Sequence, residues 1–242
     1  MFLFIFDHMK KTAVITGGTK GIGKSLVLHF AKAGFDIITN SRSAQNLQSL
    51  HKEVLHQTGV TIHTFQADFE HKEEVMKFAA FVNQTFGELN LLINNAGIFL
   101  PGATIHEEEG VFEKEMAINL AAPYYLVRKL LPVIEKSKDG YVFNMCSTAS
   151  ITAHSNGGSY SISKYGLLGF TRILRQELKH LNIGVTALMP GATLTNSWAD
   201  TDLPPERFMM PDDVAQFVLT AWHNRKHTVL EEIILRPHLG DI

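Results

Sequence analysis

Residues 12–34, TAVITGGTKGIGKSLVLHFAKAG, join a strand pattern to a helix pattern through a glycine-rich turn. A short β-branched and apolar run, 12–16, ends in Gly17-Gly18-Thr19-Lys20-Gly21-Ile22-Gly23 and passes directly into a stretch with helical periodicity. A glycine-rich turn between a strand and a helix lets backbone N–H groups approach a pyrophosphate at the positive end of the helix. Gly17 allows the tight turn, Gly21 the close approach and Gly23 the packing of helix on strand, with Thr19, Lys20 and Ile22 completing the cradle. The spacing is GxxxGxG, not the commoner GxGxxG, and a glycine cluster can also be a plain turn. Its place between the first strand and the first helix favours the nucleotide reading.

The same alternation continues to the end of the chain. Apolar runs at 12–16, 36–40, 61–66, 89–94, 141–146, 184–189 and 232–235 are separated by helical patterns at 21–33, 44–57, 70–86, 110–135, 159–181 and 211–224. Most runs lack polar alternation, as strands do when helices cover both faces of a parallel sheet. Gly34, Gly59, Gly87, Gly140 and Gly184 sit where the helices should stop. With no repeat, low-complexity tract or linker, all 242 residues read as one α/β domain. The apolar residues of the 159–181 helix, Ile162, Leu167, Leu168, Phe170, Ile173, Leu174, Leu178 and Leu181, spread over more than one face. That excess predicts a homodimer or homotetramer.

Composition excludes several classes. A formal charge of -2, with no basic run, gives no attraction to nucleic acid or an anionic membrane. Cys146 is the single cysteine, so neither an internal disulfide nor a cysteine metal site can form; it reads as a small buried hydrophobe. His223 and His227 lie four apart without a third ligand, so no metal is expected. The opening MFLFIF is too short to span a bilayer and lacks the flanks of a signal peptide. Residues 1–10 read as a disordered or non-native extension, with Met9 as a candidate natural start, and a cytoplasmic protein is expected.

The end of the second strand bears on which nucleotide is bound. An NAD site places a carboxylate there for the ribose 2′-hydroxyl, but the sequence reads Thr39-Asn40-Ser41-Arg42-Ser43, with Asp36 at the opposite end. Arg42 and Lys20 can instead neutralise a 2′-phosphate, with Ser41 beside them, which points to NADP(H) over NAD(H). Asp68, with Phe69 beside it, follows the third strand and can accept from an adenine amino group. Asn94-Asn95-Ala96-Gly97 puts small residues over the C-terminal edge of the sheet, where ligands of open α/β sheets bind.

Tyr160 and Lys164, four residues apart on one helix, share a face. Ser147, thirteen residues earlier, follows the fifth strand, so the strand end and the helix start can bring the three together; Asn119 sits inside the long helix before that strand. TGGTKGIG, Asp68, NNAG, Asn119, Ser147, Tyr160-Ser-Ile-Ser-Lys164 and Pro190-Gly191 together resemble the motif series of the short-chain dehydrogenase/reductase family, in its order and spacing over about residues 12–195. The resemblance implies a doubly wound Rossmann fold with seven parallel strands in the order 3-2-1-4-5-6-7 and helices on both faces. It also implies that Tyr160 exchanges a proton with a carbonyl/alcohol pair, its phenol lowered by the Lys164 ammonium and the positive charge of the oxidised nicotinamide, while Ser147 hydrogen-bonds the carbonyl oxygen. Lys164 holds the nicotinamide ribose, Asn119 positions a proton-carrying water, and Pro190, Gly191, Thr193 and Thr195 anchor the carboxamide.

The tail, VLEEIILRP at 229–237, lacks the glycine-rich segment of reductases that act on acyl-carrier thioesters. The sequence looks more like the smaller NADP(H)-linked carbonyl reductases. Residues 196–210 read as a lid made apolar by Trp198, Leu203, Phe208, Met209 and Met210, with Phe99, Leu100, His154 and Asn156 completing a pocket for a small carbonyl substrate. The acidic run Glu107–Glu109 reads as the solvated start of the long helix. The other readings are an NAD(H)-dependent enzyme of the same fold and a nucleotide sensor without turnover.

Overall fold

The computed structural model describes residues 10–198 and 201–242. Seven strands, β1 (Thr12–Ile15), β2 (Asp36–Ser41), β3 (His63–Gln66), β4 (Leu91–Asn94), β5 (Tyr141–Met145), β6 (Gly184–Pro190) and β7 (Glu232–Leu235), form one sheet in the order β3-β2-β1-β4-β5-β6-β7. Every pair is parallel, with Val14 level with Ile38 on one side and Leu92 on the other. The fold is therefore the doubly wound α/β architecture expected from the motif series. The suggested start at Met9 and the stretch before it lie outside the described residues.

Alternate residues of each strand point to opposite faces, and each face has its own helix layer. Ala13, Ile15, Ile37, Leu91, Ile93 and Phe143 pack with Phe30 of α1 (Gly21–Lys32), Val54 of α2 (Ala44–Thr58) and Trp222 of α7 (Pro211–His223). On the other face Val14, Ile38, Leu92, Val142 and Val185 pack with Phe78 of α3 (Lys72–Thr85), Leu126 of α5 (Ala122–Ile134) and Leu174 of α6 (Gly158–Leu178). All three apolar residues of β1 are fully buried, which explains the missing polar alternation. Because β2 and β4 flank β1 on opposite sides, the connections leave its C-terminal end in opposite directions and open a crevice there.

The expected helix over 110–135 is three pieces. α4 (Val111–Met116) gives way to a π-turn (Ala117–Ala121), and α5 resumes with Pro123 in its first turn. The wide turn centres on Asn119, a position where such turns accompany functional groups in other folds. A second difference lies after α6. Asn182, at φ 58°, ends that helical run, and Gly184 already belongs to β6, where a side-chain carbon would meet the Tyr141 ring.

Candidate active site

At the C-terminal end of β1 the turn is held from several sides. Gly17 N–H donates to Asn40 Oδ1 (3.0 Å) and Gly18 N–H to Thr39 Oγ1 (3.1 Å), which in turn donates to Ile15 O (2.6 Å). Thr16 Oγ1 accepts from the N–H groups of Asn95 and Ala96 (2.9 Å each), while Asn95 Nδ2 donates to Thr16 O (2.8 Å). Gly17 (φ 67°) and Gly21 (φ 50°) adopt left-handed backbone, which side chains disfavour. A side-chain carbon at Gly23 would meet Gly17 O, so only glycine lets α1 come this close to the turn. Thr39 and Asn40 were not singled out from sequence, although two polar residues inside an otherwise apolar buried strand are the signal that betrays them.

This turn forms one end of a cavity of about 1020 Å³. Gly17, Thr19, Lys20, Gly21, Ile22, Gly23, Ser41, Arg42, Asp68 and Phe69 line it there, and Asn95, Ala96, Gly97, Pro190, Gly191, Thr193 and Thr195 line its middle. The residues fit a dinucleotide phosphate. α1 has no acidic residue in its first turn and no side-chain cap on its N-terminus, so its positive end stays open to an anion. Arg42 projects with its guanidinium largely exposed, Nη1 4.0 Å from Asp68 Oδ2, and Lys20 is exposed on the same rim. Asp68 Oδ1 takes the Glu70 N–H, and Glu74 takes the Asp68 N–H. Those bonds hold 68–71 as a turn, so α3 starts at Lys72 and not at Glu70.

Ser147, Tyr160 and Lys164 meet at the other end of the same cavity. Ser147 sits just past β5, its hydroxyl accepting the Ala149 N–H (3.1 Å), with the Tyr160 phenol beside it. Lys164 is buried, its ammonium donating to Met145 O (2.8 Å) and lying 5.6 Å from the centroid of the Tyr160 ring. A buried amide and hydroxyl chain fixes α6 against the sheet: Asn94 Nδ2 donates to Asn144 Oδ1 (2.8 Å), and Asn144 Nδ2 to Thr171 Oγ1 (2.9 Å). The helix start is capped from a distance by Glu107, which accepts the Ser159 N–H (2.7 Å) and the Ser159 hydroxyl. Glu107 is thus not the solvated beginning of the long helix; its carboxylate crosses to the N-terminus of α6, where the helix dipole favours it.

Asn119 is fully buried behind this end and does not line the cavity. Its Oδ1 accepts from Ile98 N–H (2.9 Å), and its Nδ2 donates to Ile98 O (3.0 Å) and Ser163 Oγ (3.0 Å). Both amide hydrogens are therefore spent on protein, and the side chain positions the segment after Gly97.

Burial pushes the Tyr160 phenol above the ordinary value, outweighing the lowering by Ser147. Lys164 itself is dehydrated, which brings its ammonium down to about 8 despite Cys146 and Glu115 nearby. Cys146 is a buried free thiol pushed up to about 11 by dehydration. Phe99 meets Tyr160 edge-on, with ring centroids 4.9 Å apart. Phe99, Leu100, His154, Asn156 and Trp198 all line the cavity, as do Asp241 and Ile242, which gave no sequence signal.

Residues 199–200 of the expected lid lie outside the described residues, and the rest contributes less than its composition suggested. Trp198 reaches the cavity, Phe208 packs on it with ring centroids 5.2 Å apart, and Met209 is tied to Ala192 and Leu194 by backbone bonds. Leu203 and Met210 are exposed and lie outside the cavity lining. Among the described residues, no group of three or more His, Cys, Asp or Glu side chains is placed to hold a metal ion. No helix there is long and apolar enough to cross a membrane.

The family profile described as short chain dehydrogenase matches residues 11–204, spanning both ends of the cavity. The chain belongs to the short-chain dehydrogenase/reductase family. As a member it is an oxidoreductase working with a nicotinamide cofactor. Among relatives, the sepiapterin reductase of Chlorobaculum tepidum is 32% identical over 242 residues, covering 97% of this chain and 99% of that protein. In three dimensions this short-chain dehydrogenase superposes on an alcohol dehydrogenase of Thermococcus sibiricus complexed with 5-hydroxy-NADP (TM-score 0.87, 24% identity, 96% and 99% of the two chains). It superposes equally on the L-sorbose reductase of Gluconobacter frateurii complexed with NADPH and L-sorbose (TM-score 0.87, 24% identity, 94% and 95%). At such identity these two solved structures establish the fold.

Proposed function

We propose that this chain is an NADP(H)-dependent reductase that interconverts a carbonyl compound and a secondary alcohol. One observation carries the reading. Ser147, Tyr160 and Lys164 converge at one end of a cavity whose other end is the glycine turn and Arg42. When bound, the nicotinamide supplies or takes the hydride. Gly17, Thr19, Gly21, Ile22 and Gly23 hold the pyrophosphate, Lys20, Ser41 and Arg42 the 2′-phosphate, and Asp68 and Phe69 the adenine. Asn95, Ala96 and Gly97 form the middle wall, and Pro190, Gly191, Thr193 and Thr195 anchor the carboxamide.

Ser147 donates a hydrogen bond to the carbonyl oxygen, stabilising the negative charge that develops there. Tyr160 protonates that oxygen as the alkoxide forms and takes the proton back in the reverse direction. Its raised pKa keeps the phenol protonated at neutral pH, the form that reduction requires. Lys164 holds the nicotinamide ribose beside Tyr160, and Asn119 keeps the segment after Gly97 in place. Phe99, Leu100 and Trp198 favour a small or medium carbonyl compound with an apolar portion, and His154 and Asn156 offer it polar contacts. Fluorescence titration tests the cofactor. NADPH is expected to bind about 10-fold or more tightly than NADH, and Arg42→Ala to lose about that factor for NADPH alone. Equal affinities in the wild type would discard the 2′-phosphate site.

The reading extends to one cytoplasmic domain, residues 1–242, with 196–210 as substrate lid, assembled as a homodimer or homotetramer. Tyr124 of α5 and Ile162, Tyr165 and Ile173 of α6 are exposed on the helices covering one face, which supports self-association. Sedimentation at micromolar concentration is expected to give a dimer or tetramer; a monomer alone would end that part of the reading.

A further inference from the structure

Among the described residues Glu115 is the one carboxylate that is fully buried, and nothing in the proposed chemistry uses it. It stands on α4, four residues before Asn119, which lies at the centre of the π-turn. Both side chains reach the same connecting segment. Asn119 holds Ile98 through its N–H and C=O, and Glu115 Oε1 accepts the Leu100 N–H (2.8 Å). Between those two anchors is Phe99, the residue packed edge-on against Tyr160. Glu115 Oε2 is buried without a hydrogen-bond partner, so this carboxyl carries one oxygen free to hold a proton.

We propose that Glu115 is a positioning residue of the active site, whose carboxyl holds the 98–100 wall against Tyr160 and whose charge state governs how readily Tyr160 and Lys164 ionise. The inference rests on the carbonyl-reductase reading. A buried carboxyl with a single N–H bond is more easily kept neutral than an exposed one. Dehydration accordingly lifts Glu115 to about 7, with Glu107 adding to the rise and Leu100 and Lys164 opposing it.

The charged groups around it come from every neighbouring element. Glu107 faces it from the preceding loop, and Lys164 and Tyr160 face it from α6. Cys146, after β5, stays a neutral thiol through this range. On its own helix Glu113 is exposed, and Lys114 is paired with Glu70. Once ionised, Glu115 adds negative charge that favours the protonated forms of both Tyr160 and Lys164. It therefore extends to higher pH the range in which Tyr160 can act as a proton donor.

Glu115→Gln keeps an acceptor for Leu100 and removes the charge. In that variant the alkaline limb of ketone reduction is expected to move down by about 0.5–1 pH unit, with KM within about twofold of wild type. Glu115→Leu also gives up the Leu100 bond, and its KM is expected to rise about fivefold or more as the wall loosens. Infrared difference spectra of the cofactor-free protein between about pH 6 and about pH 8 are expected to show a carboxylic-acid band in wild type that is missing from Glu115→Gln. An unchanged alkaline limb in Glu115→Gln, or a band that survives in it, overturns the proposal. Failure of the wild type to reduce any carbonyl overturns the reading beneath it, and the infrared arm then still decides whether Glu115 titrates.

Discussion

Tyr160→Phe is expected to slow carbonyl reduction by about 10²–10⁴-fold while leaving NADPH affinity within about twofold. The substitution removes one hydroxyl and little else. The ring keeps its edge contact with Phe99, and the start of α6 stays capped by Glu107. Ser147 retains the bond from Ala149, so it stays in place beside the substrate oxygen. What disappears is the proton for the nascent alkoxide, which water must then supply from an unordered position. The effect therefore falls on kcat, with KM nearly unchanged. Reduction at close to the wild-type rate would remove Tyr160 from the mechanism.

Lys164→Met is expected to lower reduction by about 10²-fold or more and at the same time to raise the melting temperature at neutral pH by about 3–8 °C. The loss follows from the ammonium's place beside Tyr160 and from the ribose contact proposed for it. The gain follows from burial. The ordinary value of 10.5 is brought down to about 8 in the folded protein, so the fold disfavours the charged form. Between about 8 and 10.5 the unfolded chain binds a proton that the folded chain does not, and stability rises with pH through that window. Below about 8 the penalty is present in full, and methionine removes it at the cost of the bond to Met145 O. The advantage of the variant should fade as pH approaches 10.5. Thermal melts at several pH values check the sign, and a variant less stable than wild type at neutral pH would contradict the account of a dehydrated ammonium.

The fold was legible because the inner strands are short, largely apolar runs buried on both faces, and β1 to β7 appear within about two residues of their sequence positions. Local signals failed where partners lie far apart in the chain. The π-turn at Asn119 leaves the apolar periodicity of the helix intact, so nothing in that pattern marks it. Glu107 looked like a dipole-favourable helix start, and it is one, but for a helix whose Ser159 lies 52 residues away. Glu115 fell within the helical pattern of 110–135, and only the fold reveals that its position is interior. Motif spacing identifies which charges are near, but not how much water burial removes, and at Tyr160 dehydration outweighs the lowering by Ser147. Leu203 and Met210 show the converse: apolar residues in a loop need not face the cavity that the loop borders.

The most direct test of the central claim is turnover itself. Purified wild-type protein is mixed with NADPH and a panel of prochiral ketones and aldehydes, and loss of reduced cofactor is followed beside alcohol formation. Ketone-dependent consumption of NADPH is expected, with one alcohol formed per cofactor consumed. NADPH bound at the glycine turn, with no carbonyl reduced and no alcohol oxidised anywhere in the panel, would contradict the claim.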